Sequence, residues 1–317
     1  MQLGRALQFA LFTCVAWALA GTPAAAWTRA GHMVSAAIAY DELAERDPRV
    51  INQIMDIMTH HPERGPFEVA IGRATDADRV RRIFMEIARW SDDVRGGAQD
   101  HPSWHAAQRP VLDSRDPPIR TPADTVAFEA YEALALNVHV AADSDPRIPA
   151  GERAIALCWI FHIVGDMHQP LHAAQLYSRQ FPDGDEGGAL EFVLDPKTGR
   201  PINLHWFWDD RVSQTDEPEE ALARARELKA RYPRSRFAGE LSQDRTLPAN
   251  VTAWADESYA VAKSVAYGPN MPRATAPAEA KAPDNAYVEV STAAAERRLT
   301  LAGYRLADLL LRIFPQP

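Results

Sequence analysis

The chain has 317 residues, 46% of them hydrophobic, and its 43 acidic against 34 basic side chains give a formal charge of −9. That acidity argues against an extended basic groove of the kind that tracks a nucleic-acid backbone, and it leaves room for a small, locally positive site. The first 26 residues have the pattern of an export leader: Arg5 in a short n-region, an apolar stretch from Leu7 to Leu19, and Ala24-Ala25-Ala26 as a small-residue cleavage site. The expectation is a signal peptide over 1–26 and an exported protein, periplasmic or secreted, beginning at Trp27. No other stretch is long and apolar enough to span a bilayer. The remaining 291 residues carry a charge of −10, since only Arg5 among the charged groups leaves with the leader. No Gly/Ser-rich linker divides them, so one domain over 27–317 is expected. Cys14 lies in the leader and Cys158 stands alone, so no intramolecular disulfide can form, and metal binding is a physically sufficient substitute.

Trp27-Thr28-Arg29-Ala30-Gly31-His32 opens the remainder, followed by a helical pattern from His32 to Leu43. A free α-amine and carbonyl at residue 27 could chelate a metal together with His32. Asp41 to Glu63 continues as helix with a turn, and His60-His61-Pro62 reads as a solvated loop. Ala77 to Trp90 is an amphipathic helix with Val80, Ile83, Phe84, Ile87 and Trp90 on one side. It ends in Asp92 and Asp93, which oppose the macrodipole at a cost of a few tenths of a kcal/mol each, so a functional reason for at least one is expected. A loop with Asp100-His101-Pro102-Ser103-Trp104-His105 follows, and Pro110 to Pro122 reads as irregular. Val126 to Ala142 is helical, and its His139 is a core or surface histidine rather than a ligand.

The densest stretch runs from Ala154, as one buried helix to about Gln169, ended by Pro170. His162 and Asp166 stand four apart and share a face, while His172 lies beyond the break and can turn back toward them. A buried carboxylate needs compensation; a bound cation supplies it, and a hydrogen-bonded His–Asp pair that locks the core is the plainer alternative. Asp183 to Gly188 marks a flexible turn. Ala189–Leu194 and Pro201–His205 form a short β-hairpin, and its second arm leads into another His-x3-Asp pair, His205 and Asp209. Pro218–Arg231 is a charged surface helix. Val251–Val265 and Ala293–Phe314 are the last long helices, separated by a Pro/Ala-rich loop from Gly268 to Asp284. The expected fold is all-α with one short β-hairpin.

Taken together, Trp27-x4-His32, Trp90-Ser91-Asp92, Trp104-His105, His162-x3-Asp166-x5-His172 and His205-x3-Asp209 resemble the trinuclear-zinc, single-strand-specific nucleases of the S-one/P-one type. These are related in fold to the bacterial zinc phospholipases C. The resemblance covers the chain from Trp27 onward and includes the late Gly303-Tyr304-Arg305-Leu306-Ala307. Gly165-Asp166-Met167-His168-Gln169-Pro170-Leu171-His172 is its most specific part. It implies three Zn2+ per chain. One would sit on Asp92, His105, His162 and Asp166, and a second on His172, His205 and Asp209. The third would sit on the amine and carbonyl of Trp27, on His32, and on Asp166 as a bridge. Such a ligand set, nitrogen and carboxylate without thiolate, suits hydrolytic zinc.

The resemblance further implies catalytic roles for Asp92 and Asp166, a phosphate contact for Arg95, and for His168 a supporting place behind the ligands. Three zinc ions against three aspartates make the site about +3 inside an acidic protein. The implied activity is hydrolysis of single-stranded DNA and RNA at the 3′-O–P bond to 5′-nucleotides, with 3′-nucleotidase activity. Two segments depart from the family pattern. Ala106, Ala107 and Gln108 follow His105 where an aromatic residue and an aspartate are usual, and Ala189 replaces the asparagine after Gly187-Gly188. The departures leave a lipid phosphodiesterase of the phospholipase C type as the alternative, against which Asp209 stands where those enzymes carry glutamate.

Overall fold

The computed structural model describes residues 27–72, 78–120, 122, 129–143, 145–213, 215–242 and 247–315. The expected leader therefore lies outside the described residues. The helices are α1 (Arg29–Arg46), α2 (Pro48–Met58), α3 (Gly65–Gly72), α4 (Arg79–Asp93), α5 (Glu129–Ala142), α6 (Ala150–Asp166), α7 (Leu204–Asp209), α8 (Pro218–Arg231), α9 (Ala238–Leu241), α10 (Leu247–Val261) and α11 (Asn285–Ile313). Their ends follow local chemistry. The Thr28 hydroxyl accepts from Gly31 N at the start of α1; Asp47 caps α2 ahead of Pro48, and Asp284 caps α11 through Tyr287 N. The mainly helical fold is as expected, and no described helix is long and apolar enough to cross a membrane.

The central helix is shifted from its expected span of Ala154 to Gln169. It starts at Ala150, after Pro149, and ends at Asp166. Gln169 precedes a proline and is driven to extended backbone (φ −85°, ψ 121°), so the helix must stop short of it. The chain then makes a single 3-10 turn, Pro170–His172, which returns His172 toward α6. Residues 154–166 of α6 are all buried, and α6 packs against α4 and α5, while α1 packs against α4, α8 and α11. One lobe of the core surrounds α6; the other surrounds α1, α7 and the middle of α11.

The expected hairpin is present but shorter: strands β3 (Phe192–Leu194) and β4 (Pro201–Asn203) pair antiparallel. A second pair, parallel, lies partly in the stretch read as irregular: β1 (Arg109–Leu112) against β2 (Ala174–Tyr177). Four-residue strands carry too little alternation to be seen in a sequence. This pair positions the site, because its hydrogen bonding continues upstream with Ala107 N donating to His172 O (2.8 Å), which sets His105 beside His172. The Pro/Ala-rich loop is also more ordered than expected. Phe192 N donates to Ala274 O and Leu194 N to Lys281 O, so part of the loop flanks the hairpin as an added edge.

His61 corrects the expectation of a solvated loop. It is 2% exposed, packed edge-on against Phe67 and Trp90, with Nδ1 at 3.0 Å from Glu63 O. His139 is a surface residue, its side chain 74% exposed near Asp143.

The closest approach of α1 to α11 depends on Gly303. A methyl group there would lie 2.7 Å from Ile38 Cβ and 2.8 Å from Ser35 O. Gly303→Ala should therefore cost about 1–3 kcal/mol through overpacking and lower the melting temperature by several degrees. Gly65→Ala, with nothing within 4 Å, is the control. Equal melting temperatures for the two variants would show that the helix pair is not held at this distance.

Candidate metal centre

Four helices and two loops deliver the predicted side chains to one place. His32 comes from the first turn of α1, Asp92 from the last turn of α4, His162 and Asp166 from α6, and His205 and Asp209 from α7; His105 and His172 come from the 3-10 turns that lead into β1 and β2, at the same end of the parallel pair. All eight are buried, Asp92 the most exposed of them at 8%. They form three groups able to hold a metal ion: His32, Asp92 and His162; His105, His162 and Asp166; and His172, His205 and Asp209. Trp27 is fully buried, its indole N–H donating to Gly165 O (3.0 Å), one residue before Asp166. It lines a cavity together with Asp92 and Arg95.

The orientation of the imidazoles is fixed from behind. His162 Nδ1 donates to Ala88 O (2.9 Å), His172 Nδ1 to His105 O (2.5 Å), and His205 Nδ1 to Gly187 O (2.8 Å). A carbonyl can only accept, so each Nδ1 carries a proton and each ring turns its Nε2 into the cluster. His172 Nε2 and His205 Nε2 then face each other at 3.1 Å. Two lone pairs at that distance repel unless a cation lies between the rings' reach. His205 is held in turn by Gly187 and Gly188, both at positive φ (64° and 87°). A side chain on Gly187 would meet Leu171 O at 2.7 Å, and one on Gly188 would meet His205 N at 3.2 Å.

Asp166 is the shared member. Its Oδ1 lies 3.3 Å from His32 Nε2, and its Oδ2 lies 3.0 Å from His105 Nδ1 and 3.3 Å from His162 Nε2. Both nitrogens of His32, Nε2 of His105, Oδ1 of Asp166 and Oδ2 of Asp209 are buried without a hydrogen-bond partner. Orphaned buried polar atoms are costly and uncommon in native interiors, and five of them within one cluster of His and Asp fit a bound cation. Gly165 makes the packing feasible: a methyl group there would stand 2.8 Å from His32 Nδ1.

Electrostatics tell the same story. Burial lowers His162, but Asp166 and Asp92 outweigh it and raise its pKa to about 9, so without metal a proton takes a cation's place. Burial would raise Asp92 and Asp166, yet in both the surrounding imidazoles win and hold the carboxylates ionised. Burial, helped by the neighbouring His162, pushes His32 down, and burial pushes His105 down to about 4, which leaves their nitrogens available as lone-pair donors. Asp209 is pushed well up, by burial first and then by Asp92 and Asp166, against the hydrogen bond from Gln169.

Arg95 donates to Asp92 Oδ1 from Nε (3.1 Å) and Nη2 (2.8 Å). Asp93, its neighbour's companion at the helix end, is neutralised by Arg29 and Arg89 (2.6 and 2.9 Å), which offsets the macrodipole cost expected there. His168 stays out of the three groups: Nδ1 lies 2.8 Å from Val164 O, and Nε2 lies 2.9 Å from a guanidinium nitrogen of Arg305. That arginine is the buried centre of the late Gly303-to-Ala307 segment. Gln169 is a residue the sequence reading gave no role. Its amide donates to Asp209 Oδ1 (2.7 Å) while its oxygen accepts from Leu171 N (2.5 Å), so it ties the α7 carboxylate to the turn that carries His172. Its signal was its place between two histidines, immediately before the helix-ending proline.

A family model described as S1/P1 Nuclease matches residues 27–315. The chain belongs to this family. Nuclease S1 of Aspergillus oryzae is 38% identical over 74 residues, a match spanning 23% of this chain and 21% of the relative's length. The three metal-competent groups are made up of residues that the resemblance implies as ligands, but His32 groups with Asp92 and His162 rather than with Asp166 alone. The departing residues Ala106 and Gln108 line a separate cavity of about 440 Å³ with His105, His172, His205 and Glu186.

In metal-free protein the proton on His162 links stability to pH. Its folded pKa, about 9, lies above its ordinary 6.5, so its contribution is complete below about 6.5 and is lost as pH rises through about 9. We predict that the melting temperature of chelated protein falls across that window, whereas metal-loaded protein, with a metal ion in place of the proton, holds its value. A chelated midpoint that stays flat or rises between pH 6.5 and 9 would place the proton elsewhere.

Proposed function

We propose that the chain is a zinc-dependent phosphodiesterase that cleaves single-stranded DNA and RNA at the 3′-O–P bond, releasing 5′-nucleotides, and that also acts as a 3′-nucleotidase. The observation that carries this reading is the facing pair of His172 and His205, 3.1 Å apart with both Nδ1 protons committed to carbonyls. Membership in the S1/P1 Nuclease family supports the substrate class. On this reading three zinc ions are held, one by Asp92, His105, His162 and Asp166, one by His172, His205 and Asp209, and one by the amine and carbonyl of Trp27, His32 and Asp166. The ions supply Lewis-acid stabilisation of phosphoryl charge and water whose pKa is lowered to about 7.

The chain's own residues do the rest. Asp166 aims its two oxygens at different imidazoles, His32 on one side and His105 with His162 on the other, and so holds the two groups at a fixed separation. Gln169 keeps Asp209 from swinging away. Arg95, steered by Asp92, borders both cavities beside the cluster and is placed to hold a non-bridging phosphate oxygen. The family match opening at Trp27, where the leader is expected to be cut, supports export with a free amine at that residue.

Purified mature protein should cleave single-stranded DNA and RNA and leave phosphatidylcholine intact; lipid cleavage with nucleic acid spared would replace the nuclease by a lipid phosphodiesterase. Within that assay, Asp166→Asn should lower turnover by roughly three orders of magnitude or more, while His139→Ala leaves it within about twofold. Equal effects would mean that the ligand map is wrong. A form keeping one methionine before Trp27 exchanges the amine for an amide, a far poorer ligand. It should bind two ions and lose most activity, and full activity with three ions would rule out the N-terminal ligand.

A further inference from the structure

Trp206 is used by nothing described so far. It sits on α7 between His205 and Phe207, and every other residue of that helix is buried, whereas Trp206 is 46% exposed. Among the described residues it is the one aromatic side chain in the set of exposed large hydrophobics. Leaving an indole in water forfeits a large apolar burial, so such a residue at the mouth of a site calls for a partner. Its backbone is not loose: Trp206 N donates to Asn203 Oδ1 (2.6 Å), which caps the helix and fixes where the ring leaves it.

The ring forms one wall of a cavity of about 460 Å³ with Trp27, Thr28, Arg29, Asp92, Arg95, Asp210 and Asp216. A volume of that order takes a small organic ligand. Arg95 also borders the second cavity, of about 440 Å³, on the side of His105, His172 and His205. The metal-competent cluster therefore has a cavity on each of two sides, with one arginine common to both. A phosphodiester has the same form, one phosphate between two organic arms. With the phosphate at Arg95, one arm enters the cavity with Gln108 and the other meets Trp206. The remaining lining favours a base over a second phosphate, because Arg29 is already engaged by Asp93 (2.6 Å) and Asp216 (3.6 Å), while Asp210 adds negative charge and is an ordinary acceptor for an exocyclic amine.

We propose that Trp206 is a stacking platform for the nucleobase on one side of the scissile phosphate, so that this chain grips its strand on the α7 side of the metal centre. This rests on the nuclease reading above and adds to it a specificity-determining residue. Stacking on an aromatic ring is tolerant of base identity, and its loss on truncation corresponds to roughly 5- to 100-fold in affinity.

The test uses zinc-loaded mature protein and its Trp206→Ala and Trp206→Phe variants. Substrates are a short single-stranded oligonucleotide and two versions with an abasic residue placed 5′ or 3′ of the cleaved bond. Trp206→Ala should lower kcat/KM on the intact strand by roughly 5- to 100-fold, Trp206→Phe should recover most of the loss, and metal content should be unchanged. On one abasic substrate, whichever lacks the base that Trp206 meets, the three proteins should be equal. The same loss on all three substrates, or no loss on any, would overturn the platform while leaving the nuclease standing. If the wild type cleaves no nucleic acid, the nuclease reading has failed. The platform is then judged by tryptophan fluorescence with AMP and with phosphocholine as probes. Quenching by AMP that Trp206→Ala abolishes supports it. Quenching by phosphocholine alone, or none at all, overturns it.

Discussion

The carboxylate of Asp166 lies fully buried among His32, His105 and His162, with one oxygen 3.3 Å from the first and the other within 3.3 Å of the next two. Burying that charge without a partner costs several kcal/mol, and in the absence of metal it is the protonated His162 that offsets it. A bound metal ion takes the place of that proton. The rest of the structure converges there: α1, α4, α6 and α7 and two short turns bring metal-competent side chains from far-apart parts of the chain.

The ring of carbonyls and amides behind the ligands explains why the arrangement does not relax. Ala88, His105 and Gly187 each take an Nδ1 proton, and Gln169 holds one oxygen of Asp209. Those bonds decide the tautomer as well as the direction of each ring. The parallel pair β1–β2 belongs to the same scaffold, since it is what sets His105 against His172. Even the unusual backbone at Gly187 and Gly188 serves it, by bringing a carbonyl within 2.8 Å of His205. Behind His168, Arg305 donates to its Nε2 and shares Glu257 of α10 with Arg298, so α11 is tied to the turn beyond α6 by a hydrogen bond and to α10 by charge.

Much of this was legible in the sequence, and for stated physical reasons. Ligand pairs four apart, His162 with Asp166 and His205 with Asp209, must share a helix face, and an apolar helix carrying them must be buried. The amphipathic α4 was equally readable, because its stripe of Ile83, Phe84, Ile87 and Trp90 repeats at the helical period. What could not be read is what depends on contacts distant in sequence. The β1–β2 pair joins four-residue segments 65 positions apart in register, Arg109 with Ala174. His61 looked solvated beside Pro62, but it is buried against Phe67 and Trp90, a tertiary contact with no local signature. Gln169 was visible inside the motif, yet its partner Asp209 lies forty residues on. Local pattern thus gives the metal-competent side chains, and tertiary contact gives the surroundings that orient them.

On the proposed reading, cations held by this cluster of buried imidazoles and carboxylates, rather than any basic surface, are the source of the site's positive charge. Diffraction from crystals of the zinc-loaded protein, measured on both sides of the zinc absorption edge, tests that claim most directly. Three anomalous peaks are predicted, one among Asp92, His105, His162 and Asp166, one among His172, His205 and Asp209, and one between His32 and the backbone of Trp27. Density without an anomalous signal, with water between His172 and His205 and a proton shared around Asp166, would contradict it.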